Sequence, residues 1–462
     1  MLENERDLTR SAFINYSLQI LFVGMAFHKI DNDSPNTITS ALDFLNIPAT
    51  NTSVQSSSWR EVLPLNPITD IPYHFKIHSS NNYMDLSKCY IMSEMRIRKQ
   101  NAAGDAWENL VAGDVVGSIN FIGSTFIKNL KIFINQKEVY DSNSLYSYRT
   151  WLDTELSLPQ AVKNTYLNAA GYYEDSADPN NVLGAGFLSR RGLFNLSETG
   201  QFIARIDADF FNQQNYLLSG TELDIEITPQ DSEFMLLEPA NTATVYRVEI
   251  TNLKIYIKML ELMDGLALDV MKKLDTTPAR YAIRRTSIKA FQINEGVREF
   301  SANLWTDQVP RRIVCGLVAN QAYRGAKNLS PFKFEPYNVR ELTIFANART
   351  YPSSLYNLDY AGNKYIRSFH DFHDALGMSN GTESNGIYLD KYKTGSTLYA
   401  FMLTNSMEDS TTYDLIKSGS TNINIKFSAD VPANGLVLIG FAEFDSLIFI
   451  NRNRNIASDY NI

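Results

Sequence analysis

IKNLKIFINQKEV occupies residues 127–139, and VRELTIFANARTY occupies residues 339–351. Both carry Leu-x-Ile-Phe-x-Asn: Leu130, Ile132, Phe133 and Asn135 in one, Leu342, Ile344, Phe345 and Asn347 in the other (342 − 130 = 212 positions apart). Four further matches keep the same order. Tyr148-Arg149-Thr150-Trp151 is echoed by Ile366-Arg367-Ser368-Phe369, and GQFIARIDADF from Gly200 by GSTLYAFMLT from Gly395. ELDIEI from Glu222 is echoed by NINIKF from Asn422, and VEITNLKIY from Val248 by AEFDSLIFI from Ala442. Each match alone is weak. Their shared order and nearly constant displacement mark two copies of one unit of roughly 200 residues, and repetition sets an architecture before any motif is read.

Working outward, the matched stretches read as strands. In 222–228, Leu223, Ile225 and Ile227 alternate with Glu222, Asp224 and Glu226, the period of a half-buried strand. The first copy is expected to place strands at 59–63, 73–77, 88–98, 126–134, 201–209, 222–228 and 245–258. In 245–258 the apolar phase shifts around Asn252, which a β-bulge explains. The second copy is expected to place them at 281–293, 310–318, 338–346, 397–404, 421–428 and 435–450. A helix is expected within 147–168, broken by Pro159, and a second near 367–376. The Gly-, Asn-, Asp- and Pro-rich stretch 170–195 and most of 352–395 read as long loops, expected at the exposed top of the molecule. Residues 265–274, GLALDVMKKL, form a short amphipathic helix that Thr276-Thr277-Pro278 ends. The expected division is therefore an N-terminal arm or extension at 1–45, a first unit at 46–264, a helical linker at 265–278 and a second unit at 279–462. Many strands with no helices at βαβ spacing argue against a doubly wound α/β fold and for Greek-key sandwiches. The expected fold class is all-β, a double jelly roll of two tandem eight-stranded β-sandwiches.

Composition agrees. At 462 residues the chain exceeds one ordinary core and suits two. Aromatic content of 12% favours strands and large packed surfaces. The net charge of −9 argues against non-specific nucleic-acid binding, which needs clustered Lys and Arg. Cys89 and Cys315 lie in separate apolar runs and read as buried free thiols, which fits a reducing compartment. Sequons at Asn15, Asn32, Asn51, Asn195, Asn328 and Asn380 carry little weight in an Asn-rich chain. The apolar run at 18–27 is too short for a bilayer helix, and the acidic residues Glu3, Glu5 and Asp7 before it make a poor signal peptide.

Chemistry is sparse. His370 and His373 have helical spacing beside Asp371 and Asp374 but lack further ligands, so a polar face is expected. His74 and His78 would share a strand face as a surface pair, and His28 stands alone. Asp207 and Asp209 would share a strand face that is solvated or at an interface. Asp31 and Asp33 lack the Gly and Glu of a calcium loop, and Gly184 and Gly186 lack the preceding strand of a dinucleotide site. Arg190-Arg191, Arg284-Arg285 and Arg311-Arg312 read as solvated or salt-bridged pairs. The segment 451–455, Asn-Arg-Asn-Arg-Asn, is expected to face a neighbouring subunit. No catalytic, cofactor-binding or metal-binding residue is assigned, no cofactor is expected, and a structural or binding role is favoured over an enzymatic one.

Taken together, TNTSVQSSSW (50–59), YMDLSKCYI (83–91), YSYRTWLDTEL (146–156), FNQQNYLLSGTELDIEI (211–227), PRRIVCGLVANQAYRGAKNLSPFKFEPYNV (310–339), SNGI (384–387) and FAEFDSLIFINRNRNI (441–456) resemble the double jelly-roll major capsid proteins of Polinton (Maverick) elements and adintoviruses. That lineage includes adenovirus hexon. The resemblance runs from about Asn46 to Tyr460. It implies a structural major capsid protein, a homotrimer that presents six jelly rolls and tiles an icosahedral shell around double-stranded DNA. It implies neighbouring capsomers, penton and minor capsid proteins as partners, location in the virion, and no sequence-specific nucleic-acid contact or membrane span. Relatives commonly begin near Met-Ala-Phe, here Met25-Ala26-Phe27, so residues 1–24 read as an upstream extension. The rival reading is a tandem jelly-roll lectin or a domesticated cellular protein.

Overall fold

The computed structural model describes residues 29–44, 46–240, 242–404 and 412–458. Two units are distinguished, Met1–Thr52 and Ser53–Ile462. In the first, the described residues form one 3-10 turn, Ser40–Leu42, and leave Ile38, Phe44 and Ile47 exposed.

The second unit carries the strands. They are β1 (Val54–Val62), β2 (Tyr73–His78), β3 (Tyr83–Gln100), β4 (Trp107–Asn109), β5 (Gly117–Ser118), β6 (Ile127–Ile134), β7 (Lys137–Asp141), β8 (Gly200–Arg205), β9 (Glu222–Pro229), β10 (Leu236–Leu237) and β11 (Tyr246–Leu262). There follow β12 (Ala279–Ile293), β13 (Glu299–Trp305), β14 (Arg312–Ala319), β15 (Val339–Ala346), β16 (Arg349–Tyr351), β17 (Leu398–Met402), β18 (Thr421–Phe427), β19 (Leu436–Ile450) and β20 (Ile456–Ser458). One sheet runs β1-β11-β3-β8 and faces a second ordered β2-β9-β6-β7. Further along, β12-β19-β14-β17 faces β13-β18-β15-β16. All these pairings are antiparallel. The chain order is the same in both sets, alternating between the facing sheets in the pattern of a jelly roll. The fold is all-β, a double jelly roll.

The repeated motifs fall on equivalent elements: β6 with β15, β8 with β17, β9 with β18, β11 with β19, and the helix Tyr146–Ser157 with the helix Ile366–Ala375. Strand alternation is the cause. In β9, Leu223, Ile225 and Ile227 are buried against Tyr73, Phe75 and Ile77 of β2, while Glu222, Asp224 and Glu226 oppose His78, Lys76 and His74 outside. The bulge expected near Asn252 is present, as the β11–β3 register slips between Ile250 and Asn252.

The conserved Asn of the repeat has a structural reason. Asn135 and Gln136 join β6 to β7, and Asn347 and Ala348 join β15 to β16, all four with positive φ (50°, 66°, 48° and 59°). A two-residue hairpin with both residues left-handed matches strand twist, and Asn tolerates that conformation best after Gly. Sequence reading missed β7 and β16, which are short, and β13, whose Ser301, Ala302 and Asn303 dilute the apolar alternation.

The stretch 170–195 departs from expectation. It is not an exposed loop: Tyr172, Phe187, Arg190 and Phe194 are buried, and Ala185–Gly192 is helical. Its Gly and Asn content reflects tight packing, since a Cβ at Gly186 would strike the Glu174 backbone. In the region 352–395, Ile366–Ala375 is helical as expected, and Leu389–Thr394 adds a second helix. The amphipathic segment is the helix Asp264–Leu274, running from the end of β11 toward β12.

An L-residue other than Asn or Gly held left-handed stores roughly 1 kcal/mol. Replacing Ala348 with Gly should therefore stabilise the chain by about 0.5–1 kcal/mol in urea unfolding. A lower midpoint would contradict the turn assignment.

Candidate functional site

The two sandwiches meet where the excursion after β7 and the turn after β8 pack on the segment between β14 and β15, on β12 and on the excursion after β16. The helix Tyr146–Ser157 follows β7 and stops as Leu158 turns extended ahead of Pro159. It buries Tyr146, Tyr148, Trp151, Leu152 and Leu156. Trp151 stacks on Phe332 with ring centroids 4.7 Å apart and planes 15° apart. Tyr148 stacks on Tyr323 at 5.8 Å and meets Phe332 and Phe334 edge-on. Tyr323, Phe332 and Phe334 all lie between β14 and β15, so first-sandwich aromatics are bedded in second-sandwich ones. Pairs of this kind add roughly 0.5–1.5 kcal/mol each beyond their burial.

An ionic cluster sits beside the aromatic one. Arg149 is 2% exposed, and its Nη2 donates to Asp209 Oδ1 at 2.7 Å and to Asp207 Oδ1 at 3.5 Å. The guanidinium carbon lies 4.8 Å from the centre of the Tyr140 ring. Asp209 Oδ1 also accepts the backbone N–H of Thr286, on β12, at 2.9 Å. One carboxylate thus bridges both sandwiches. Burial raises its pKa against the pull of Arg149. Asp153, a turn along the same helix, is pushed up to about 7 by burial, then by Asp207, with Glu443 adding and Arg149 and Arg205 opposing.

A third contact joins the two excursions. Lys163 Nζ donates to Glu155 Oε2 at 3.0 Å and to the backbone oxygen of Asn385 at 2.6 Å. Tyr172 donates its hydroxyl to Glu155 Oε1 at 2.6 Å, and Lys391 Nζ stands 3.7 Å from Glu155 Oε2. Burial pushes the Glu155 carboxyl up, but Lys391, Lys163 and Tyr172 hold it below its ordinary value.

The residues singled out from sequence scatter. Asp207 and Asp209 do not share a strand face: β8 ends at Arg205, Asp209 opens a 3-10 turn, and both are buried rather than solvated. The sequence, which left a solvated or an interface face open, did not supply their partner, since Arg149 lies 58 and 60 residues away. His74 and His78 are a surface pair facing Glu226 and Glu222. His373 Nε2 meets the Ile387 carbonyl at 3.1 Å, while His370 points at Asp371, so the two do not converge. His28 lies outside the described residues. Asp31 accepts the Asp33 N–H in an exposed turn. Gly184 precedes the helix Ala185–Gly192, and Gly186 packs within it, with no strand leading in. Among the described residues no cluster of three His, Cys, Asp or Glu could hold a metal ion.

The paired arginines are largely salt-bridged, as expected. Arg190 holds Asp175 at 2.8 Å, Arg311 meets Asp414 at 3.3 Å, and Arg312 grips both oxygens of Glu443. The segment 451–455 makes contacts within its own chain. Arg454 Nε donates to the Ser219 carbonyl at 2.7 Å, Asn135 Nδ2 donates to the Arg454 carbonyl at 2.8 Å, and Arg452 pairs with Asp275 at 2.8 Å. It clasps the first sandwich of its own chain, because β20 folds back on β19 and delivers it there. Cys89 and Cys315 are free and buried, and burial pushes the Cys315 thiol up to about 12. A groove of about 610 Å³ opens beside Asp209, between β7 and β12, lined by Tyr140, Arg285, Lys289, Trp305 and Gln308 among others.

No family model matches the chain. The uncharacterized protein F54H12.2 of Caenorhabditis elegans is 28% identical over 417 residues, covering 88% of this chain and 98% of that protein. Among solved structures, a chain of the Sputnik virophage superposes with TM-score 0.64 at 13% identity, covering 95% of each chain. The Faustovirus major capsid protein gives 0.57 at 10% identity over 96% of this chain and 98% of that one. The mavirus major capsid protein gives 0.55 at 12% identity over 94% and 97%. The likeness is one of fold: both jelly rolls, in order and side by side.

Removing one partner of a buried ion cluster costs about 3–5 kcal/mol, so Arg149→Leu should destabilise by that amount, and adding Asp209→Asn should recover part of it. No recovery would contradict the bridge. Folded Asp153 keeps its proton to about pH 7, whereas an unfolded Asp releases it near ~3.9. Its contribution therefore lowers stability as pH rises through that interval. Asp153→Asn should flatten the fall in urea midpoint between pH 5 and 7; an unchanged slope would count against it.

Proposed function

We propose that this chain is a structural major capsid protein that builds homotrimeric, pseudo-hexameric capsomers of an icosahedral double-stranded DNA virus or virus-like element, of the Polinton (Maverick) and adintovirus kind. The observation that carries this reading is the pair of identically wired jelly rolls matching capsid proteins over nearly the whole chain. Three such chains around an axis present six similar walls, which lets a trimer tile where hexagonal symmetry is needed. The division into an arm at 1–45, jelly rolls at 46–264 and 279–462 and a linker at 265–278 belongs to the same proposal. The arrangement accounts for the sparse chemistry: what is buried at the junction holds two sandwiches together and offers no open cleft of converging acid, base and nucleophile.

The partners are further copies of the chain, neighbouring capsomers, and penton and minor capsid proteins, and the location is the virion. The net charge of −9 fits a shell wall better than a genome-binding protein. A second reading, a domesticated cellular protein, draws support from the nematode relative, which spans nearly the same length.

Light scattering on the purified chain should give three times the 52.3 kDa chain mass, and negative-stain images should show sheets or shells at high concentration. A monomer at all concentrations, with a sugar-dependent thermal shift, would favour a tandem jelly-roll lectin instead.

A further inference from the structure

Lys163, Glu155 and Asn385 form a dry trio with chemistry that structural support does not require. Lys163 and Asn385 are 0% exposed and Glu155 is 4% exposed. Asn385 accepts the Ile387 N–H on Oδ1 at 3.1 Å, but its Nδ2 donates to nothing. A buried, unpaired amide donor costs free energy that a nearby acceptor would have recovered. The Lys163 amine is held 2.6 Å from the backbone oxygen of that same residue. The left-handed Gly386 (φ +78°) turns the chain directly after it.

We propose that Lys163 and Asn385 join in an intramolecular isopeptide bond, with Glu155 moving the proton. The neutral Lys163 Nζ attacks Asn385 Cγ, and the carboxylate of Glu155 takes a proton from the new ammonium. Glu155 then returns it to Nδ2, the Cγ–Nδ2 bond breaks and ammonia leaves. One amide C–N bond forms and one breaks, Glu155 ends unchanged, and no oxidant or reductant is consumed. The surroundings suit each step. Burial lowers the Lys163 pKa, with Lys391 adding to the effect and Glu155 opposing it, which favours the neutral nucleophile. Lys391, 3.7 Å from Glu155, keeps the carboxylate paired when Lys163 gives up its charge. Tyr172 fixes the other carboxylate oxygen, leaving Oε2 toward the amine. The product would tie the excursion after β7 covalently to the excursion after β16, fastening the two sandwiches independently of whatever the chain assembles into.

Intact-mass spectrometry of the purified, denatured full chain tests this. The expected mass is about 17 Da, one ammonia, below the sequence value, and peptide mapping should recover a branched peptide containing Lys163 and Asn385. Lys163→Arg and Glu155→Gln should both return the full mass, with Lys163→Arg retaining a charged donor if Glu155→Gln fails to fold. The sequence mass in the wild type overturns the proposal. So does a loss that persists in Lys163→Arg, which would report a succinimide at Asn385-Gly386 instead.

Discussion

The junction between the sandwiches depends on one carboxylate. Asp209 takes Arg149 from its own sandwich and the Thr286 N–H from the next, and both charged side chains are buried. Bare burial of such charges is costly, and their attraction repays it only when the geometry is complete. The geometry here is partly completed: the Tyr140 ring lies against the Arg149 guanidinium and Asn212 donates to Asp207, while Arg149 Nε and Nη1 and Asp207 Oδ2 lack hydrogen-bond partners. The aromatic bed of Trp151, Tyr148 and Phe332 supplies the apolar burial that the ions do not. A dry aromatic contact is tolerant of angle, whereas an ion cluster of this kind is not. Together they join two β-sandwiches at one fixed orientation, which a building block needs and a flexible tandem module does not.

The rest of the fold follows from that constraint. Each sandwich is closed by its own alternation, while the aromatic core runs on from one sandwich into the other. The excursions after β7 and β16 differ between the copies, and with the segment between β14 and β15, β12 and the turn after β8 they form the junction. The repeat therefore conserves the walls and spends its variation where the copies meet. On the capsid reading, similar walls and dissimilar tips let three chains imitate six.

Much of the wall was legible in the sequence because a half-buried strand repeats its apolar side chains every second residue. Leu223, Ile225 and Ile227 announce their face without any partner, and the match of 127–139 to 339–351 places β6 and β15 in equivalent positions, although their hairpin partners β7 and β16 went unread. The junction was not legible, because its members are distant in the chain and ordinary in kind. Arg149 and Arg367 occupy matching positions in the repeat, yet Arg149 is buried on Asp209 while the Arg367 side chain is 47% exposed beside Asp371. A repeat reveals equivalent backbone and says nothing of role. The stretch 170–195 misled for a related reason: glycines and asparagines mark tight turns, and turns can be buried when neighbouring side chains supply their hydrogen bonds, as the Asn120 Oδ1 does in accepting the Tyr173 N–H. The acceptors that the basic residues of 451–455 find within the same chain, at Ser219 and Asp275, were not legible either, being far away in sequence.

The central claim is that a rigid pair of jelly rolls is one third of a six-walled block. A single-particle reconstruction of the purified oligomer tests it most directly. The account predicts three-fold symmetry with six upright sandwiches, the first of each chain beside the second of the next, and the Trp151–Phe332 stack intact within every chain. Particles in which the two sandwiches of one chain take up varied orientations, or in which no three-fold axis relates the chains, would contradict it.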